Sequence, residues 1–172
     1  HVDLAHQRWA VVQLVQQHVG AAYPFELLAG NDKDGSWADG FIDTFAGCLP
    51  DRLGAVGQYG HQYYFDYPPG APLARFILID PNLYRGAAIA EYCRSGDTAN
   101  CDWLKARIDE AKAQGLWTVV GMHKVCITIG IKSCSIGAPL LNVLIERKVD
   151  LILQAHDHGY QRSKQFSLGT GC

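Results

Sequence analysis

Ala155-His156-Asp157-His158 sets two imidazoles two residues apart, directly after the apolar run 149–154. Neutral imidazole is a common metal ligand, and two at this spacing beyond a strand can face neighbouring metal positions. A polar turn holding two histidines by chance is the bland reading of the same residues. His123 follows Val119-Val120-Gly121-Met122 and stands alone. By itself it reads as a satisfied core or turn histidine before it reads as a ligand. Lys124 beside it has the charge to meet a phosphate, although an exposed lysine is ordinarily just solvated. Gly30-Asn31-Asp32 is the weakest motif. Its residues are ordinary turn formers, and an amide oxygen gains credibility as a ligand only beside stronger ones. His1, His6, His18 and His61 have no convergent context and read as surface or structural. Tyr59, Tyr63, Tyr64 and Tyr67 read as strand and core residues.

The elements in front of these motifs give them a common address. Val11, Val15 and Val19 recur every four residues and predict a helix over residues 4–19, with Gly20 as its stop. A short buried strand is expected over 24–29, running into the polar loop 30–35. Ser36 can cap the next helix, whose apolar face carries Trp37, Phe41, Phe45 and Leu49. Residues 62–67 and 74–80 read as two strands joined through Pro68-Pro69-Gly70, a hairpin-like pair. A helix capped by Thr98 or Asn100 and reaching about residue 114 turns Leu104, Ile108 and Ala111 inward. A strand over 116–120 leads to His123. Pro139 suits the first turn of a helix over 140–148. A final buried strand over 149–154 leads to His156, and the tail 161–168 is expected to add one more. Helices alternating with apolar strands imply an α/β sheet, and ligands in such sheets bind just beyond the carboxyl ends of strands. Asn31, His123, His156 and His158 are all expected at that edge.

Composition sets the outer limits. A chain of 172 residues suits one domain and can bury a sizeable core. With 48% apolar and 19% charged residues it is neither a disordered tail nor a coiled coil. A formal charge of -2 gives no basic footprint, so no sequence-independent nucleic-acid binding is expected. No apolar run approaches the roughly 20 residues of a membrane span. The chain opens on His1, without an initiator Met or a signal peptide, and is expected to be a fragment of a longer domain. Six cysteines form no zinc-knuckle spacing. Cys93 with Cys101, and Cys126 with Cys134, each bracket a short loop and are expected to pair; the connectivity of Cys48 and Cys172 stays open. Pairing of this kind implies an oxidising compartment and hence a secreted or extracytoplasmic protein. Six unrelated thiols are the alternative.

The three motifs together resemble the calcineurin-like metallophosphoesterases, in particular their purple-acid-phosphatase-like branch. That family carries five ordered blocks: D-x-H, G-D, G-N-H-[ED], a later G-x-H, and G-H-x-H. Gly30-Asn31-Asp32-Lys33 resembles the third, Gly121-Met122-His123 the fourth and Ala155-His156-Asp157-His158 the fifth, with Tyr160-Gln161-Arg162 similar to the Y-x-R that follows. The resemblance runs from about Leu4 to Arg162. It implies a sandwich of sheets flanked by helices, incomplete here at both ends, with two metal ions between strand ends. Asn31, His123 and His156 would bind one metal (zinc, manganese or iron) and His158 the other. Asp3, in the stub Val2-Asp3-Leu4, would stand for the bridging aspartate, and Asp32 and His123 would be the catalytic positions. In the family, metals about 3.5–4 Å apart clamp a phosphate ester and activate the water that attacks phosphorus in line. The implied substrate is a small phosphomonoester or diester.

The departures are specific. The first block is absent, Ala155 replaces a glycine, and Asp32 stands where the family has a histidine. A carboxylate there is anionic near neutral pH and repels a phosphate dianion. Loss of a positioned general acid typically costs about 10²–10⁴ in rate, so the chain as given is expected to be a poor catalyst. Two other readings stay open. One is a degenerate, non-catalytic binding or structural module on the same fold. The other is a different metallohydrolase, such as an amidohydrolase or β-lactamase-like enzyme; the latter needs H-x-H-x-D-H, whereas Gly159-Tyr160 follows His158 here.

Overall fold

The computed structural model describes residues 12–14, 16–31, 41–85, 88–94 and 99–168. Asp3, Asp32, Ser36, Trp37 and Cys172 lie outside these residues. Residues 12–14 and 16–19 are helical, and Gly20, at φ 91°, ends that stretch by donating its N–H to the Gln16 carbonyl. Helix α1 spans Phe41–Ala46. There follow β1 (Val56–Gln58), β2 (Gln62–Tyr67) and β3 (Ala74–Ile79), then the small hairpin of β4 (Tyr84–Arg85) and β5 (Ala88–Ile89). Helix α2 (Ala99–Ala113), strand β6 (Trp117–Met122), helix α3 (Ala138–Glu146) and strand β7 (Leu151–Gln154) complete the order.

The main sheet has five strands in the order β1-β2-β3-β6-β7. β1, β2 and β3 pair antiparallel, whereas β3, β6 and β7 run parallel. The parallel pairs need crossovers, and α2 and α3 supply them. Both helices pack on one face. Leu104 and Ile108 of α2 meet Leu140 and Leu144 of α3 over Ile77, Ile79, Val120 and Met122, all buried. The three-to-four spacing of Leu104, Ile108 and Ala111 is what turns α2 inward, as the sequence predicts. On the other face Val12, Leu27, Ala29, Ile42, Phe45, Leu49 and Leu83 form a second core. The rings of Phe65 and Phe76 stack on that face with centroids 5.1 Å apart. The fold is thus a mixed α/β sheet flanked by helices. Among the described residues no helix is long and apolar enough to cross a membrane.

Three expectations need correction. Residues 24–29 form no strand; a single parallel bridge joins Leu28 to Gly60. Tyrosine side chains occupy the backbone groups a ladder would use. The Leu27 N–H donates to the Tyr59 hydroxyl at 3.2 Å, and the Tyr63 hydroxyl donates to the Leu27 carbonyl at 2.5 Å. Strand β7 is not buried: Leu151 and Leu153 are each 49% exposed. It is an edge strand, paired among the described residues to β6 alone, and its helix-side residue Ile152 is the one that packs against the core. The tail 161–168 is exposed and irregular. Strand β1 and the β4–β5 hairpin, at three and two residues per strand, are too short to leave a periodic trace.

The disulfides Cys93–Cys101 and Cys126–Cys134 are both formed, and Cys48 carries a free thiol. Two disulfides point to an oxidising environment.

Candidate functional site

Parallel strands β3, β6 and β7 end at the same edge, so the residues after them are neighbours. Ile79 pairs with Met122, and Met122 with Gln154. Asp80, His123 and Ala155 therefore lie side by side, and the Ala155 N–H donates to the His123 carbonyl at 3.2 Å. The segment 28–31 reaches this edge through the Leu28–Gly60 bridge and the bond from the Ala29 N–H to the Gly60 carbonyl, 2.8 Å. Gly30 lies against the His123 imidazole: a Cβ at Gly30 would sit 3.4 Å from Nδ1 of that ring.

Asn31, His123 and His156 are brought together. His123 Nε2 is 2.5 Å from Asn31 Oδ1 and 3.2 Å from His156 Nδ1. The two imidazoles meet edge to face, with centroids 5.0 Å apart. His156 has a left-handed backbone, φ 68°. The Asp157 N–H donates to the Ala155 carbonyl across it at 2.8 Å, which makes a γ-turn of the rarer, strained kind. His158 is exposed and stands outside this contact. Asp3 and Asp32 fall outside the described residues.

The proton count at this junction is informative. A neutral imidazole nitrogen carries either one hydrogen or one lone pair, and the amide oxygen only accepts. The tautomer decides whether His123 Nε2 or His156 Nδ1 carries the hydrogen between the rings; with both nitrogens bare, a cation at the common focus would meet three lone pairs. Tetrahedral ligands at 2.0–2.1 Å from zinc stand about 3.3 Å apart. The 3.2 Å between the histidine nitrogens fits that spacing. The 2.5 Å to Asn31 is tighter, so a metal would require the exposed Asn31 to draw back. Two imidazoles and an amide oxygen suit zinc or another first-row metal, and three protein ligands leave a position open. Among the described residues no three His, Cys, Asp or Glu side chains gather closely enough to hold a metal ion.

A second polar cluster occupies the same edge, and its importance was missed in the sequence. Asp80 is completely buried. It accepts from His61 Nδ1 at 2.9 Å and from Arg85 Nε at 2.8 Å, with a further bond from Arg85 Nη2. The Tyr92 hydroxyl donates to it at 3.3 Å and accepts from Arg85 at 3.0 Å. Burial alone would raise the Asp80 pKa, but the bonds and charges of Arg85 and His61 outweigh it and hold the carboxyl below its ordinary range. Burial pushes the Tyr92 hydroxyl well above its usual pKa. Asp80 directly after the apolar run Phe76-Ile77-Leu78-Ile79 was the signal available in the sequence.

No protein-family model matches the chain, and neither a curated protein nor a solved structure does.

Proposed function

We propose that the chain is a metal-dependent phosphoesterase-like domain of the calcineurin-like type, secreted or extracytoplasmic, acting on small phosphomonoesters or diesters. The observation that carries this reading is the meeting of His123 Nε2, His156 Nδ1 and Asn31 Oδ1 beyond the strand ends. Order and spacing of the three motifs support it, as does the mixed sheet on which they stand. In this reading Asn31, His123 and His156 would hold one metal, His158 would serve a second position, and Asp3 would stand for the bridging aspartate. A metal ion held there would supply Lewis acidity for activating water toward phosphorus. The His123 backbone carbonyl accepts from the Ala155 N–H and ties the two strand ends together, and Asp32 stands, by the resemblance in sequence, for the group that would meet the ester's leaving oxygen.

A second reading has its own observations. Asp32 stands where the family has a histidine, and Ala155 where it has a glycine. These favour a binding module that keeps the fold and one metal. Metal analysis with p-nitrophenyl phosphate and bis-p-nitrophenyl phosphate assays, in manganese, zinc or iron, separates the two. One metal per chain with weak turnover is expected. Metal binding without turnover selects the module, and absence of metal binding removes both.

A further inference from the structure

The strained turn at His156 is braced by the disulfide-closed loop 126–134. Thr128 Oγ1 donates to Asp157 Oδ2 at 2.5 Å and accepts from the Gly130 N–H at 2.8 Å. Gly130 itself is pressed against the Asp157 carboxylate, where an added Cβ would come within 2.6 Å of that group. On either side the loop grips the same segment. The N–H groups of Cys126 and Ile127 both donate to Gln154 Oε1 at 3.3 Å, and the Ile129 N–H donates to Gln161 Oε1 at 2.8 Å. Apart from the Thr128–Gly130 bond within the loop, these contacts fall on Gln154, Asp157 and Gln161, on both sides of His156.

We propose that Thr128, through Asp157, is a positioning residue that holds His156 against His123, with Gly130 providing the room for Asp157 to sit there. The physical ground is the cost of the turn. A non-glycine residue at positive φ is disfavoured and persists where the surroundings over-determine it. The neighbouring Asp157 cannot leave its place while Thr128 Oγ1 holds its carboxylate and Gly130 walls it in, so the backbone of His156 is fixed from its C-terminal side. Outer partners of this kind typically change metal affinity by about 10–100-fold when removed. That consequence rests on the metal-centre reading above; the placement of the two rings does not.

The test uses the full chain. In the metal-free protein, a ring-proton NOE between His123 and His156 reports their approach, since the centroids are 5.0 Å apart. The cross-peak is expected in the wild type and in Thr128→Ser, which keeps the hydroxyl, and lost in Thr128→Val. Gly130→Ala reaches Asp157 by an independent route and is expected to lose it too, which keeps the comparison decisive if Thr128→Val does not fold. A cross-peak that persists in both disruptive variants, or is missing from the wild type, overturns the proposal. Zinc titration of the same proteins is expected to show affinity about 10–100-fold weaker in Thr128→Val and recovered in Thr128→Ser. If no variant and no wild type binds zinc while the NOE pattern holds, the brace stands and the metal-centre reading falls.

Discussion

His61 and His123 stand at one edge of the same sheet and keep opposite company. His61 faces a carboxylate. Asp80 only accepts, so the proton lies on His61 Nδ1, and Arg85 and Tyr92 donate to the remaining acceptor sites. Donors meet acceptors, charge meets countercharge, and the cluster is closed and buried. His123 faces Asn31 Oδ1 and His156 Nδ1, an amide acceptor and a second imidazole. The first arrangement is complete within the protein. The second brings two imidazoles and an amide oxygen to one point, the grouping on which the proposed metal centre rests. Residue type alone does not separate a structural histidine from a ligand; the partners do.

The comparison is broken most forcefully at Asp80. Replacing it by alanine leaves the partly buried Arg85 and the buried His61 facing a hole where the fully buried carboxylate was. Removing one partner of a buried pair typically costs about 3–5 kcal/mol. Urea denaturation of Asp80→Ala is expected to show a loss of that order. A loss below about 1 kcal/mol would mean that the cluster is not the closed structural unit described. The acid side gives an independent check. Asp80 is held below its unfolded pKa, near 3.9. Its stabilisation is therefore fully present above about pH 4 and is lost as pH falls through its folded value. Wild-type stability should drop in that acid window, and Asp80→Asn, which has no proton to take up there, should drop less steeply.

His123 is the mirror experiment, with a large effect on binding and a small one on folding. His123→Ala should weaken zinc binding by more than the roughly 10–100-fold expected for an outer partner. Its stability should stay within about 1 kcal/mol of wild type, because its ring is only half-buried. Calorimetric zinc titration beside urea denaturation reads both. The reverse pattern, unchanged zinc binding and a large stability loss, would place His123 with His61 as a structural histidine.

Sequence pattern made some of this legible, for identifiable reasons. Leu104 and Ile108 of the inward stripe bury against Val120 and Met122, so helix α2 and strand β6 followed their periodicity. The strand-end placement of His123 and His156 followed from those strands. Residues 24–29 misled because an apolar run after Pro24 resembles a strand, whereas Tyr59 and Tyr63, more than thirty residues away, take its backbone bonds. Strand β7 misled because Leu151-Ile152-Leu153 has the composition of a core strand but sits at the sheet's outer edge, and strand order is not written in a local window. The Asp80 cluster joins residues from positions 61 to 92, each unremarkable alone. Thr128 and Gly130 carried no pattern, since their meaning depends on Asp157, a residue far along the chain.

The smallest effect is expected at His158, and it tests how far the resemblance extends. His158 has the spacing of a ligand, two residues after His156, yet it is exposed and outside the contact that joins His156, His123 and Asn31. Removing an exposed side chain away from packed contacts usually changes stability by less than about 0.5 kcal/mol. His158→Ala should therefore unfold in urea like the wild type. It should also retain one zinc per chain with the wild-type affinity, because the atoms that converge belong to its neighbours. Should His158→Ala lose a second equivalent of zinc that the wild type binds, His158 would serve a further metal position, completed by residues beyond those described. Should it lose the first equivalent, the γ-turn at His156 must rearrange on binding so that both imidazoles reach one ion.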